Sequence, residues 1–135
     1  MADNNRMFQL KIITPERLFY EGEASMVEFN TTEGEIGIYK NHIPLTVIIK
    51  PGILTITEAD DVKKAAMHSG FVEILQDRVT ILAEIIEWPK EIDMDRAEAA
   101  YKRASDRIQK KDSKTDIARA QTALLRAMTR IDAAK

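Results

Sequence analysis

No cysteine occurs among the 135 residues, which excludes disulfide staples, thiolate-held metals, iron–sulfur clusters and a cysteine nucleophile. Glycine and proline are scarce and unevenly placed: all five glycines and all four prolines lie at or before Pro89. Residues 90–135 hold neither, so a turn-rich front gives way to a stretch without a helix breaker. Nowhere does an apolar run approach the ~18 residues of a membrane span, and Met1-Ala2-Asp3-Asn4-Asn5-Arg6 lacks the apolar centre of a secretion signal. Any membrane association is therefore expected to run through a partner.

Histidine is limited to His42 and His68, neither with a Glu-x-x-His or His-x-x-x-His neighbour, so no metal site is expected. No serine stands in a nucleophile motif, and Gly34-Glu35-Ile36-Gly37 lacks the spacing of a phosphate-cradling loop and reads as a turn entering a strand. Glu84 and Glu87 flank a strand end, where solvated charge explains them. No catalytic residues are indicated.

What is present is a charge asymmetry. Residues 1–89 carry 8 basic and 14 acidic side chains, whereas residues 90–135 carry 12 and 8, so the front is −6 and the tail +4. Because acids interrupt those basic residues and Tyr101 is the tail's only aromatic, base stacking is unsupported and no nucleic acid is expected. An acidic protein patch or a bound phosphate suits this tail better.

The front shows period-two alternation, as in Phe8-Gln9-Leu10-Lys11-Ile12 and Arg78-Val79-Thr80-Ile81-Leu82, with turn residues every eight to twelve positions. That pattern predicts strands over 8–13, 18–20, 25–30, 36–39, 45–50, 52–58, 63–68, 71–75 and 78–87, and Glu58-Ala59-Asp60-Asp61 and Gln76-Asp77-Arg78 as hairpin turns. Two such sheets packed face to face make a β-sandwich.

In the tail, Met94, Ala97, Tyr101, Ala104 and Ile108 draw one apolar helical stripe, and Ile117, Ala120, Leu124, Ala127 and Ile131 repeat it. Lys110-Lys111-Asp112-Ser113-Lys114 reads as the turn between two antiparallel helices, with Ser113 and Asp116 as a capping box for the second. Asp93 is the expected N-cap of the first, with Ile92 just outside it. Four alanines among ten stripe positions make a thin seam. Such a hairpin is expected to dock on the sandwich, on a partner, or on each in turn.

Arg96 and Arg103 lie seven apart on the first helix, and Arg119, Arg126 and Arg130 recur at seven and four on the second. On neighbouring helices these can converge on a polyphosphate, which guanidinium forks grip by charge-assisted hydrogen bonds. The same spacing also suits solvated faces flanking an alanine seam.

Several segments in fixed order carry a family resemblance: Val27-Glu28-Phe29, Glu33-Gly34-Glu35-Ile36-Gly37-Ile38-Tyr39, His42-Ile43-Pro44-Leu45, Ser69-Gly70-Phe71-Val72-Glu73, Val79-Thr80-Ile81-Leu82-Ala83 and Ile92-Asp93-Met94-Asp95-Arg96-Ala97. By these the chain resembles, nearly end to end, the epsilon-subunit (delta/epsilon) family of bacterial F-type ATP synthases. The resemblance implies a β + α architecture: a β-sandwich of about ten short strands over 1–89, then an antiparallel two-helix hairpin over 90–135.

It further implies a non-catalytic rotor subunit of the central stalk. The sandwich would bind the gamma subunit, and its lower loops, with Glu35 and His42, would meet the membrane-embedded c-ring. A movable hairpin would reach the alpha/beta catalytic ring to inhibit hydrolysis. The setting would be peripheral, on the cytoplasmic face of the bacterial cell membrane, within ion-driven ATP synthesis. The motif Ile92-Asp93-x-x-Arg96-Ala97 matches members that bind ATP, carrying over Glu87, Ile92, Asp93, Arg96, Ala97, Arg103, Arg126 and Arg130 as nucleotide-binding positions. ATP would be a regulatory ligand, with no cofactor for catalysis; a stand-alone ATP-sensing module is the alternative. Two departures from the family pattern, Lys40-Asn41 for Pro-Gly and Ser69-Gly70 for two glycines, bear on local turns. Asn tolerates a positive φ, so the first turn is expected to survive.

Overall fold

A computed structural model describes residues 6–110 and 116–135. Eight strands come first: β1 Phe8–Ile13, β2 Leu18–Ala24, β3 Met26–Thr31, β4 Gly34–Ile38, β5 Leu45–Ile48, β6 Gly52–Thr57, β7 Val62–Ile74 and β8 Arg78–Glu87. A 3-10 turn at Pro89–Glu91 leads into α1 (Met94–Lys110) and α2 (Ile117–Ala134). The expected sandwich and two-helix hairpin are both there.

The strand order is β2-β1-β8-β7-β6-β3-β4, with β5 on β7. β7 pairs with β6 along its first half and with β5 along its second, so one long strand serves both layers. Alternation along the strands turns Leu10, Ile12, Val27, Phe29, Ile38, Leu54, Ile56, Val72, Ile74 and Ile81 inward, all at 2% exposure or less. The turns expected at 58–61 and 76–78 form, closed by Glu58 N–H to Asp61 O at 2.8 Å and Leu75 N–H to Arg78 O at 2.8 Å. Asn41 takes φ 66°, as its residue type allows.

The nine segments predicted from alternation become eight strands among the described residues because those expected at 63–68 and 71–75 are one strand. Between them the pairing with β8 shifts twice, at Met67/Ser69 and at Ser69/Gly70, so the pair is bulged and bent without being broken. Gly70 holds φ 134°, and a Cβ there would run into the carbonyl of Leu82. Gly70→Ala is therefore expected to cost about 3 kcal/mol and to lower the melting temperature by roughly 10 °C in a thermal scan.

The hairpin lies folded against the sandwich, α2 packing on β7 and β6 and α1 packing on α2. Its seam is built from the alanines. Ala97 and Ala104 on α1, and Ala120 and Ala127 on α2, are each 3% exposed or less, and their small side chains let the helix backbones approach closely. Tyr101, expected on the stripe, is 41% exposed, because α1 packs on α2 and forms the outer layer; Ile117, at the first position of α2, is 37% exposed. Asp116 caps α2, its carboxylate accepting the Arg119 N–H at 3.0 Å; Ser113, expected to share the capping box, lies outside the described residues.

Candidate functional site

Chain geometry at the joint is fixed from both sides. Trp88 stacks on Phe19 with ring centroids 4.3 Å apart and packs against the core. Glu91 accepts the Trp88 N–H at 2.9 Å and both Glu91 oxygens accept from Arg17, at 2.9 and 2.7 Å. Those bonds hold the Glu91 carboxyl below its usual range, the Trp88 amide more than the Arg17 guanidinium. The 3-10 turn is thus clamped to β2. Asp93 then starts α1 as its N-cap, its Oδ1 accepting the Arg96 N–H at 3.1 Å and its carbonyl the Ala97 N–H at 3.0 Å.

Beside this joint is a cleft of about 340 Å³, lined by Glu87, Glu91, Asp93, Arg96, Ala97, Ala100, Arg103 and Arg130. Four elements contribute: the end of β8, the 3-10 turn, the first turns of α1, and α2. Three guanidinium groups face three carboxylates across it, with Ala97 and Ala100 as an apolar wall. Arg130 crosses from α2 to the sheet, its Nε donating to Glu87 Oε1 at 2.7 Å. The cleft is complete only while the hairpin is docked.

Six of the eight positions carried over from the resemblance line this cleft: Glu87, Asp93, Arg96, Ala97, Arg103 and Arg130. Ile92 and Arg126 are not among its lining residues. Ile92 lies half-buried between the 3-10 turn and α1. Arg126 turns its Nε into the buried contact between α2 and the sheet, where it has no partner. Glu35 lies exposed on β4 and borders a separate hollow formed with Leu125, Met128 and Asp132 of α2. His42 occupies the loop before β5, its Nδ1 2.8 Å from the Ile43 carbonyl oxygen.

Two participants escaped the sequence reading. Glu91 is bonded to Arg17, 74 positions away. His68 has no exposed surface and its Nε2 stands 3.2 Å from Glu87 Oε1. Only the period-two pattern hinted at the latter, since with Met67 turned inward His68 must face outward, toward whatever covers β7.

Another surface faces away from the core. Register aligns Ile48 of β5, Phe71 of β7, Leu82 of β8, Ile13 of β1 and Leu18 of β2 in one row across five strands. Ile48 is 62%, Leu18 52%, Phe71 45% and Leu82 36% exposed. A contiguous apolar row of this kind marks an interaction face.

Fold and cleft together define a class: a small β-sandwich with a helical hairpin docked on its side and a charged cleft at the joint. Residues 7–89 match the family described as "ATP synthase, Delta/Epsilon chain, beta-sandwich domain", and residues 90–135 match its "long alpha-helix domain". Relatives named "ATP synthase epsilon chain" include those of Caldanaerobacter subterraneus, 44% identical over 94% of this chain and 93% of its own, and Clostridium novyi, 44% identical over 94% and 97%. The chain belongs to the ATP synthase delta/epsilon chain family. Among solved structures, a chain of the Euglena gracilis mitochondrial ATP synthase, described as "OSCP/F1/c-ring", shares the fold at TM-score 0.82 and 20% identity, over 96% of this chain and 81% of that one. One from the Tetrahymena thermophila mitochondrial "central stalk/cring" shares it at TM-score 0.64 and 16% identity, over 95% and 96%.

Proposed function

We propose that this chain is the non-catalytic epsilon-type rotor subunit of an F-type ATP synthase, joining the gamma shaft to the c-ring, and that its hairpin is a brake on ATP hydrolysis released by ATP. The setting is the cytoplasmic face of a bacterial membrane, reached through the complex. Family membership supports the rotor role, and the exposed apolar row supplies a face on which a shaft subunit can dock. Glu35 and His42, on β4 and the loop that follows, are the proposed c-ring contacts.

The observation that supports the brake's release is the cleft at the joint. Arg96 and Arg103 from α1 and Arg130 from α2 converge there with Glu87 of β8 and Asp93 at the joint. Guanidinium groups hold the phosphates by charge-assisted hydrogen bonds. Ala97 and Ala100 offer an apolar wall for the base, and Glu87 and Asp93 accept from the adenine amino group or the ribose. A hairpin that swings away after Glu91 takes the arginines with it, so ATP binds the docked pose alone and draws the population toward it by its differential affinity. Undocked, the hairpin, with its excess of basic residues, is free to reach acidic surface on the catalytic ring. Titration of the isolated chain with ATP, following the docked pose, tests this: saturable binding that increases docking is expected, and binding without docking, or none, refutes it.

A further inference from the structure

His68 lies beneath α2 in the bulged stretch of β7, on the face turned away from the core. From β8 it faces Glu87, whose Oε1 is 3.2 Å from its Nε2, and from α2 it faces Arg126 and Arg130. Glu87 is already committed, since the same Oε1 accepts from Arg130 Nε at 2.7 Å. The second ring nitrogen, Nδ1, is buried with no partner. A neutral imidazole donating from Nε2 fits this pocket: it satisfies Glu87 and leaves Nδ1 as an unprotonated acceptor. An imidazolium does not fit, because it would bury an unpaired Nδ1–H and set a third cation beside the guanidinium groups of Arg126 and Arg130, with Glu87 already bonded to Arg130.

We propose that His68 is an acid-sensitive latch on the hairpin: its protonation expels α2 from the sandwich and favours the undocked pose. This rests on the docking motion proposed above but needs neither nucleotide nor the catalytic ring. Burial first, and then the Arg130 charge, lower the docked His68 from 6.5 to about 4, against the pull of Glu87. Once α2 leaves, the ring meets water and returns toward the ordinary histidine range of about 6.5. The docked state therefore binds fewer protons. Its advantage is fully present above pH 6.5 and is lost as the pH falls toward 4. Between pH 7.5 and 5.5 the ratio of undocked to docked hairpin is expected to rise about tenfold from this one group.

Absence of native cysteine makes the measurement clean. Asp60→Cys and Lys135→Cys place a donor and an acceptor dye on the sandwich and on the end of α2, in the full chain without nucleotide. Energy transfer from the docked pose is expected to fall on acidification, by the tenfold change in ratio, and His68→Gln, which keeps a donor toward Glu87, is expected to abolish that dependence. In the doubly labelled chain without the histidine substitution, the NMR signal of the His68 ring should titrate with the same midpoint as the transfer, between about 4 and 6.5. An unchanged pH response in His68→Gln, or a His68 ring that titrates while transfer stays constant, overturns the latch. If ATP alters transfer and pH does not, the latch fails and the nucleotide reading stands; if neither alters it, both fail.

Discussion

Arg96→Ala combined with Arg103→Ala is expected to weaken ATP binding about a hundredfold or more while leaving the hairpin docked. Each lost charge-assisted hydrogen bond removes about 1.5–3 kcal/mol, and 1.4 kcal/mol is a factor of ten in affinity. Both arginines stand on α1 and line the cleft without an ion pair to another described residue, so their removal costs the free protein little. Arg130 differs. Its bond to Glu87 ties α2 to the sheet, so Arg130→Ala should lower ATP affinity and also shift the free chain toward the undocked pose. Calorimetric titration together with the two-dye transfer signal separates the effects. Equal binding by the double variant and the natural chain would remove the cleft from the account.

Phe71→Glu with Ile48→Glu is expected to weaken association with the shaft subunit by two to three orders of magnitude, at nearly unchanged stability of the isolated chain. The two side chains are paired neighbours in the exposed row, 45% and 62% accessible, so carboxylates there stay in water when the chain is alone. In a complex the same positions lose the burial of two large apolar groups, about 1.5–3 kcal/mol each, and would have to desolvate two charges. Interferometry against immobilised gamma subunit measures the loss, and a thermal scan checks the fold. Retained affinity would move the docking face elsewhere on the sandwich.

Local chemistry made much of this architecture legible in the sequence. Alternation marked the strands, the missing glycine and proline marked the helical tail, and Asp93 capped α1 where a short acidic side chain before an apolar periodic run is expected to do so. The miscounted strand has a specific cause. Ser69-Gly70 has the composition of a turn, and only the partner strand β8 decides that this glycine serves a bulge. Tyr101 obeyed the helical period yet remained exposed, because period reports which side of a helix is apolar and not how many layers cover it. The cleft was readable as a set of residue types, since Arg96, Arg103 and Arg130 recur on one side of each helix. Its closure by Glu87, the Glu91–Arg17 clamp and the burial of His68 depend on contacts between distant parts of the chain, which no local pattern encodes.

In the proposed function, the clamp and the latch divide the joint into a fixed and a moving part. Trp88 and Glu91 stay with the sandwich, through Phe19 and Arg17. Beyond Glu91, docking depends on Arg130 and Glu87, a neutral His68 and, in the proposed function, ATP spanning both helices. On that proposal ligand and proton act on one equilibrium in opposite directions, ATP toward the docked hairpin and acid away from it.

The most direct test is ATP hydrolysis by the assembled enzyme carrying either the full chain or residues 1–89 alone, compared from low to saturating ATP. Faster hydrolysis without the hairpin at low ATP, with the difference closing as ATP rises, is the expected result. Equal rates at every ATP concentration, or a difference that ATP leaves unchanged, would contradict a hairpin brake released by nucleotide.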